Sequence, residues 1–551
     1  KMKIVIGCLN SKYVHASLSP WCLLAGVREF CASDVCATVC ESTINANLDD
    51  FVSTLPNAEI YAFSCYIWNV EHTLYVCEKI KNKTNAKIIL GGPEVAYRAK
   101  TVLEKYKFVD YVLSGEGEFN LPKLIDALNL KTDFNDVDGL CYRHNNDVLS
   151  NAEKEYIETP PNPYCDEFFE NLKGRICYIE TSRGCPYRCA FCLSGRCSTL
   201  RFFDIDIIKE NILRLANSGT KTVKFVDRTF NANYHRANEI LLFIKENYGS
   251  KIPDGICFHF EIAGDILREE TLEILKSMPY RAVQLEIGMQ SFNEETLKLI
   301  NRKTNTQRLI KNIKTLLSFQ NMHIHIDLIA GLTGEDLKSF KNSFNIGYRL
   351  HSHMLQMGFL KLLYGSDMRE QSDKYPCEFS DKPPYEVTST PWLSADDVAK
   401  LKNCEDALER LYNSGRFLLA LDYLINEIGV EPFDLFYSFG NAVNGNKLGL
   451  SLYAQKFFEF FKDKCNSEIL REKIVCDLLC SGAEKHVPDC LKVKDPLYKK
   501  IKSELSKQLG NKFSFAILYS ENKVFAVTPD EPKDLFGRKQ GAMLELPRSK
   551  D

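Results

Sequence analysis

The sequence predicts an α/β protein: a Rossmann-like doubly wound sheet, a partial (β/α)6 barrel of the TIM type, and a mainly helical C-terminal part with a terminal hairpin. Three observations predict it. Short apolar runs alternate with helical spacing through the first 130 residues; the same rhythm restarts near Ile176 and runs to about residue 370; from Ser394 to about residue 510 the patterns are helical. A chain of 551 residues has room for roughly three or four domain-sized units. The pattern divides it at residues 1–130, 131–172 (a linker), 173–370 and 371–551.

Composition narrows the class. A net charge of −3 and a pI near 6.4 give no broad basic face, which disfavours a nucleic-acid partner. No apolar run reaches about 18 residues, so no membrane span is expected. The opening Lys1-Met-Lys-Ile-Val-Ile reads as a strand, not an export signal. The 21 cysteines are scattered, and several sit in apolar runs (Cys40, Cys65, Cys77, Cys257), which predicts small buried hydrophobes in a reducing cytoplasm.

In the first part, strands are predicted at Ile4–Cys8, Val35–Cys40, Ile60–Ser64, Lys87–Leu90 and Val109–Leu113. Helices are predicted at Leu18–Phe30, Asn47–Leu55, Val70–Asn82 and Val95–Tyr106. Open parallel sheets bind ligands beyond the carboxyl ends of their strands. Those ends carry Gly7-Cys8-Leu9-Asn10-Ser11, Ser64-Cys65-Tyr66-Ile67-Trp68-Asn69, Gly91-Gly92-Pro93-Glu94 and Gly115-Glu116-Gly117-Glu118. Leu90-Gly-Gly-Pro93 and Ser114-Gly-Glu-Gly-Glu118 together resemble the cobalamin-binding domain joined to many radical enzymes, over residues 2–130. The resemblance implies cobalamin contacts from Asn10, Ser64, Tyr66, Trp68, Gly91, Gly92, Pro93, Gly115, Glu116, Gly117 and Glu118. The plain alternative is a sheet domain with no cofactor. The Asp-x-His-x-x-Gly motif that gives cobalt a histidine is absent; His15 reads as a loop residue, leaving the lower face of cobalt to Tyr66, Trp68 or water. Gly7-Cys8-Leu-Asn10 also resembles the opening of radical methylthiotransferases, whose second cluster needs three further cysteines. Cys8 and Cys65 could serve there, but no third is well placed.

Residues 130–172 hold a hairpin-like piece at Gly139–Val148 and the stiff Thr159-Pro-Pro-Asn-Pro163, read as a bridge. Directly after the apolar run Ile176–Glu180 come Cys185, Cys189 and Cys192, spaced C-x3-C-x2-C. Thiolates on one tight loop suit an iron–sulfur cluster, and three of them leave one iron of a four-iron cluster open; Cys197 is the rival fourth ligand. With Phe191 before the last cysteine, the loop resembles the radical S-adenosylmethionine (SAM) superfamily. The resemblance implies a [4Fe-4S] cluster on Cys185, Cys189 and Cys192 whose open iron chelates SAM. Reductive cleavage then yields a 5′-deoxyadenosyl radical, with electrons from a flavodoxin or ferredoxin.

Barrel strands are predicted at 176–181, 222–227, 256–262, 282–287, 323–329 and 354–360, and helices near 206–217, 233–247, 269–277, 294–319 and 335–350. Polar residues close several strands, where a barrel places its chemistry: Asp227-Arg228, Glu261, Gln290-Ser291 and Asp327. Phe258-His-Phe-Glu261, Ile287-Gly-Met-Gln290-Ser-Phe292 with Arg302, and Asp327-Leu-Ile-Ala-Gly331 resemble the oxygen-independent coproporphyrinogen oxidase branch. That resemblance implies Glu261, Gln290 and Asp327 near the SAM ribose and amino group. Arg302 and Ser291 would lie on its carboxylate, and Phe191 with Ala190 along adenine. The plainer roles are helix capping for Glu261 and Asp327 and dipole neutralisation for Arg302. His323 and His325 face one way along a strand and read as packed or hydrogen-bonded histidines before a metal pair; His351 and His353 read alike.

In the last part, Ser394 with Asp397 predicts a helix start, and Phe513–Leu518 with Lys523–Val527 a hairpin. Cys476, Cys480 and Cys490 read as core cysteines before a second cluster, and a disordered tail is expected from Pro547. The region is expected to cover the barrel mouth. The combined resemblance implies a cobalamin-dependent radical SAM enzyme that methylates an unactivated carbon through methylcobalamin and the 5′-deoxyadenosyl radical. Its substrate would be a small molecule or peptide, with Asp227, Arg228, Tyr66 and Trp68 as candidate substrate-side residues. The alternatives are cyclisation, ring contraction or another rearrangement without methyl transfer, and a methylthiotransferase-like or non-catalytic cobalamin- or cluster-binding protein.

Overall fold

The structure, a computed structural model, describes residues 1–145, 147–196 and 199–545; Cys197 and the tail from Pro547 lie outside them. By compactness the chain forms two units. One comprises Lys1–Leu285, Lys298–Asn305 and Leu360–Val387, the other Glu286–Leu297, Thr306–Phe359 and Thr388–Asp551.

The first unit opens with strands β1 (Met2–Asn10), β2 (Val35–Thr43), β3 (Ile60–Ser64), β4 (Lys87–Gly91) and β5 (Tyr111–Leu113), all parallel, in the order 2-1-3-4-5. The runs are apolar at nearly every position because helices cover both faces; all five residues of β3 are buried. The direction in which successive strands are added reverses between β1 and β3, and this order leaves a crevice there, outside the strand ends. The helix expected at 95–106 is two pieces, Pro93–Ala96 and Ala99–Lys105. The hairpin expected in the bridge belongs to the sheet instead. Strands β6 (Leu140–His144) and β7 (Asp147–Ser150) extend it antiparallel from β5, with Tyr111 opposite Tyr142.

The second rhythm begins with β8 (Cys177–Ile179), followed by a short antiparallel ladder, β9 (Ser182–Arg183) with β10 (Arg201–Phe202). Strand β11 (Thr222–Phe225) lies parallel between β8 and β12 (Cys257–Ile262). Strand β13 (Val283–Gln290) begins in the first unit and ends in the second, in which β14 (His323–Ala330) and β15 (Met354–Phe359) pair parallel. Burial along β13 alternates strictly. Leu285, Ile287 and Met289 are buried, while Glu286 and Gln290 stay partly open on the opposite face, the barrel-interior pattern. The helix expected at 294–319 is two, Glu294–Leu299 and Thr306–Ser318, and the loop between them carries Arg302.

The helix Ala395–Leu408 starts with the expected capping box: Ser394 N–H donates to Asp397 at 3.1 Å, and Asp397 N–H donates to Ser394 Oγ at 3.1 Å. It runs along the edge strand β15. Lys402 sits over the Phe359 ring, and the π-helical turn Glu409–Asn413 brings Asn413 onto the strand backbone. The Asn413 side chain accepts from Leu355 N–H (3.0 Å) and donates to Leu355 C=O (2.9 Å), as a neighbouring strand would. Tyr412 donates to Ser352 C=O. Helix Pro432–Val443 docks on helix Leu337–Tyr348 through Lys341–Asp434 (2.7 Å) and Arg349–Glu431 (2.8 Å). Within this unit the C-terminal region therefore seals a sheet edge and an outer helix. Open edges invite pairing with other chains. Asn413→Ala is expected to cost about 2 kcal/mol by stranding two edge groups, and to raise aggregation; denaturant titration with light scattering checks both.

Terminal strands Ser514–Leu518 and Lys523–Val527 form the expected hairpin, joined by an unanticipated third strand, Ala542–Glu545. Cys476 and Cys480 pack with Leu518, Phe525 and Val527 as core, and every described cysteine is a free thiol. No described helix is long and apolar enough to cross a membrane.

Candidate active site

The three cysteines expected to hold the cluster follow β8 on one loop of the first unit, and each sulfur meets one polar group. Cys185 Sγ lies 3.3 Å from Thr229 Oγ1, Ser194 N–H donates to Cys192 Sγ at 3.4 Å, and Arg302 Nη1 donates to Cys189 Sγ at 3.7 Å. Burial pushes the Cys189 thiol up, and Arg302 pulls it back toward the thiolate. Donors aimed at sulfur stabilise cluster thiolates, so this loop fits an iron–sulfur group. Asn301 Nδ2 donates to Arg188 C=O at 2.8 Å and Ala190 N–H to Ile300 C=O at 2.9 Å, which ties the Arg302 loop to the cluster loop. Ala190 C=O accepts from Met368 N–H, and Phe191 stays half-buried beside it.

A cavity of about 560 Å³ opens beyond the carboxyl ends of β1, β3, β4 and β5. Asn10, Ser64, Tyr66, Trp68, Gly91, Gly92, Gly115, Gly117 and Glu118 all line it. Pro93 and Glu116 do not: Pro93 opens a helix, and the Glu116 carboxylate is held by Arg183 and, at 2.7 Å, by Arg201. Tyr66 and Trp68 stack with centroids 4.5 Å apart and planes 3° from parallel, and burial raises the Tyr66 phenol. Buried Asn69 sets their loop, accepting from Tyr66 N–H (2.7 Å) and donating to Leu9 C=O (3.0 Å). The switch-point position, the bare glycine backbone and the flat aromatic pair fit a large planar cofactor.

The barrel forms the opposite wall with Tyr178, Glu180, Arg183, Val226 and Arg228. Arg183 joins the walls, bonding Glu118 of the first sheet (2.8 Å) and Glu180 (2.7 Å) as well as Glu116. His15, read as a plain loop residue, also lines the cavity, with Nδ1 2.7 Å from the Tyr178 hydroxyl. Arg183 and Tyr178 stood beside the cysteine motif in the sequence, but nothing local marked them.

Asp227 is corrected by the structure. It is buried away from the cavity, accepting from Thr181 N–H (2.9 Å), Thr181 Oγ1 (2.6 Å) and Ser182 Oγ (2.5 Å), with burial holding its carboxyl near 6 against those bonds. It braces the start of the cluster loop, while its neighbour Arg228 faces the cavity. Glu261 lies 3.5 Å from Lys224.

In the second unit, Gln290 ends β13 at φ +67° with its Oε1 buried and without a hydrogen-bond partner, as suits a ligand contact. Ser291 is committed elsewhere: its hydroxyl donates to buried Glu335 at 2.6 Å, not to a SAM carboxylate. Burial raises the Glu335 carboxyl to about 7 against three serine hydroxyls. The native state thus holds this proton more tightly than the unfolded chain, and the contribution weakens as pH rises from about 4.5 to about 7, by on the order of 3 kcal/mol. Glu335→Gln is expected to flatten that slope in melting temperatures taken between pH 5 and 8. Asp327 lies 2.8 Å from His325 Nε2, and ligand atoms of Glu286, His325 and Asp327 fall within 4.8 Å of one another. His323 instead stacks toward His353, so the two strand histidines have separate settings.

A family model described as B12 binding domain matches residues 11–125, and the Radical SAM superfamily model matches 179–345. Residues 179–345 thus form a radical SAM domain and residues 11–125 a B12-binding one. A model described as a protein of unknown function (DUF4080) matches residues 373–523. The 2-(S-pantetheinyl)-carbapenam-3-carboxylate methyltransferase of Streptantibioticus cattleyicolor is 26% identical over 328 residues, 54% of this chain and 45% of that protein. The cobalamin-dependent radical SAM methyltransferase TokK of Streptomyces tokunonensis is 26% identical over 318 residues, 54% of this chain and 46% of that one. The alignments thus span under half the length of these two relatives. The cobalamin-dependent SAM radical enzyme OxsB, solved with aqua-cobalamin and SAM, superposes with a TM-score of 0.60 at 15% identity, over 93% of this chain and 84% of that one, and shares its fold. The radical SAM domain implies a [4Fe-4S] cluster and SAM, and the B12 binding domain cobalamin.

Proposed function

We propose that this chain methylates an unactivated carbon of a small molecule or peptide held in the cavity. One observation carries the reading: a single cavity is walled by the switch point of the first sheet and by the strand ends next to the cluster loop. Bound there, cobalamin would supply the methyl group, and the cluster with SAM the means of activating a C–H bond. The chain's own residues hold and orient. Cys185, Cys189 and Cys192 grip the cluster, and Arg302 places positive charge beside it. Glu261, Gln290 and Asp327 are assigned to SAM. Gly91, Gly92 and Gly115 would present backbone to the corrin, and the stacked Tyr66–Trp68 pair would offer it a flat apolar surface. Arg183 fixes the spacing of the walls. A flavodoxin or ferredoxin in a reducing cytoplasm is the proposed electron source, a setting that suits the free thiols.

Anaerobic protein reconstituted with iron, sulfide and cobalamin, then given SAM, a reductant and candidate substrates, tests the reading. S-Adenosylhomocysteine and 5′-deoxyadenosine together support it. Deoxyadenosine alone replaces methyl transfer with rearrangement, and neither product defeats turnover.

A further inference from the structure

We infer that the substrate carries an anionic group, a carboxylate or phosphate, and that Arg228 binds it. This inference rests on the proposed function and deepens it. The charges lining the cavity are otherwise matched within the protein. Arg183 is paired with Glu118, Glu180 and Glu116, and His15 with Tyr178. The Arg228 guanidinium lines the same cavity and makes no ion pair or hydrogen bond among the described residues. The adjacent carboxylate does not neutralise it, because Asp227 is turned inward to Thr181 and Ser182.

Arg228 stands just past the carboxyl end of β11, where a barrel presents substrate-facing groups, and its charge reaches the Tyr66 phenol. A guanidinium offers paired N–H donors that match a carboxylate or phosphate in two bonds at once. Cobalamin has a phosphate of its own, and the test separates that source.

Wild type, Arg228→Lys and Arg228→Ala are loaded anaerobically with hydroxocobalamin and titrated calorimetrically with benzoate, phenyl phosphate and neutral benzamide. Wild type is expected to prefer the anions by about tenfold or more, the value of a charge-assisted contact. Arg228→Ala should erase the preference, Arg228→Lys keep part of it, and all three proteins retain cobalamin equally. No preference in wild type, or one that survives in Arg228→Ala, overturns the inference. So does an Arg228→Ala protein that loses cobalamin yet still holds cobinamide, which lacks the phosphate; Arg228 would then belong to the cofactor. Wild-type protein that takes up no cobalamin defeats the proposed function instead.

Discussion

Cys189→Ala is expected to reduce reductive cleavage of SAM to background while leaving cobalamin bound. Cys189 is the middle thiol of the triad and the most buried of the three, and its sulfur receives the Arg302 guanidinium at 3.7 Å. Removing it leaves two thiolates, too few to hold a four-iron cluster with one iron open. The fold should tolerate the change. One buried sulfur becomes a small void, worth about 1 kcal/mol, and the loop keeps its anchors at Ile300 and Met368. The cavity wall proposed to hold cobalamin should not respond, since it is built from the ends of β1, β3, β4 and β5. Cys177→Ala is the control: it removes another fully buried thiol, from β8, outside the motif. Chromatography of 5′-deoxyadenosine, iron content and the cobalamin spectrum of both variants provide the readouts. Cleavage that persists in Cys189→Ala, or fails equally in Cys177→Ala, would remove the assignment of the cluster ligands.

The cysteine motif stands out in the sequence because the chemistry assigned to it falls within eight consecutive residues. The parallel strands were legible for a related reason: burial on both faces writes a continuous apolar run, as in Ile60–Ser64. What escaped depends on non-local pairing. A hairpin at the end of a domain looks the same locally whether it crosses a bridge or joins a sheet, so β6 and β7 were misplaced. Arg183 and Glu116 are 67 positions apart, and only the fold makes them partners. Asp227 and Arg228 show the limit most sharply. As neighbours just past one strand end they carry equal promise on paper, yet the turn there sends them different ways. One is buried under Thr181 and Ser182, and the other faces the cavity. Ser291 likewise sat in a suggestive motif, but buried Glu335, 44 residues later, claims its hydroxyl.

Gly92→Val should strip the protein of cobalamin and destabilise its first sheet by roughly 2–6 kcal/mol, combining backbone strain with overpacking. Gly92 has φ +98° and ψ 167°, a conformation open essentially to glycine alone. A Cβ there would sit 2.6 Å from the Cys65 carbonyl oxygen and 3.0 Å from its nitrogen. Those atoms are backbone and have little room to yield: Cys65 N–H donates to Gly91 C=O at 2.7 Å, and its carbonyl accepts from Glu94 N–H. The strain would therefore fall on the crossing of the β3 and β4 loops, which carries Tyr66 and Trp68 on one side and Gly91 on the other, all cavity-lining. Gly115→Ala separates this local crowding from a general intolerance of side chains. Gly115 also has positive φ, but an added Cβ would meet only the ends of the Asn120 and Glu153 side chains, at 3.4 and 3.8 Å. Its cost should be far smaller, about 1 kcal/mol of backbone strain. Cobalamin retained through gel filtration, together with melting temperatures, reads both variants. If Gly92→Val holds cobalamin as firmly as Gly115→Ala does, the glycine loop does not cradle the corrin.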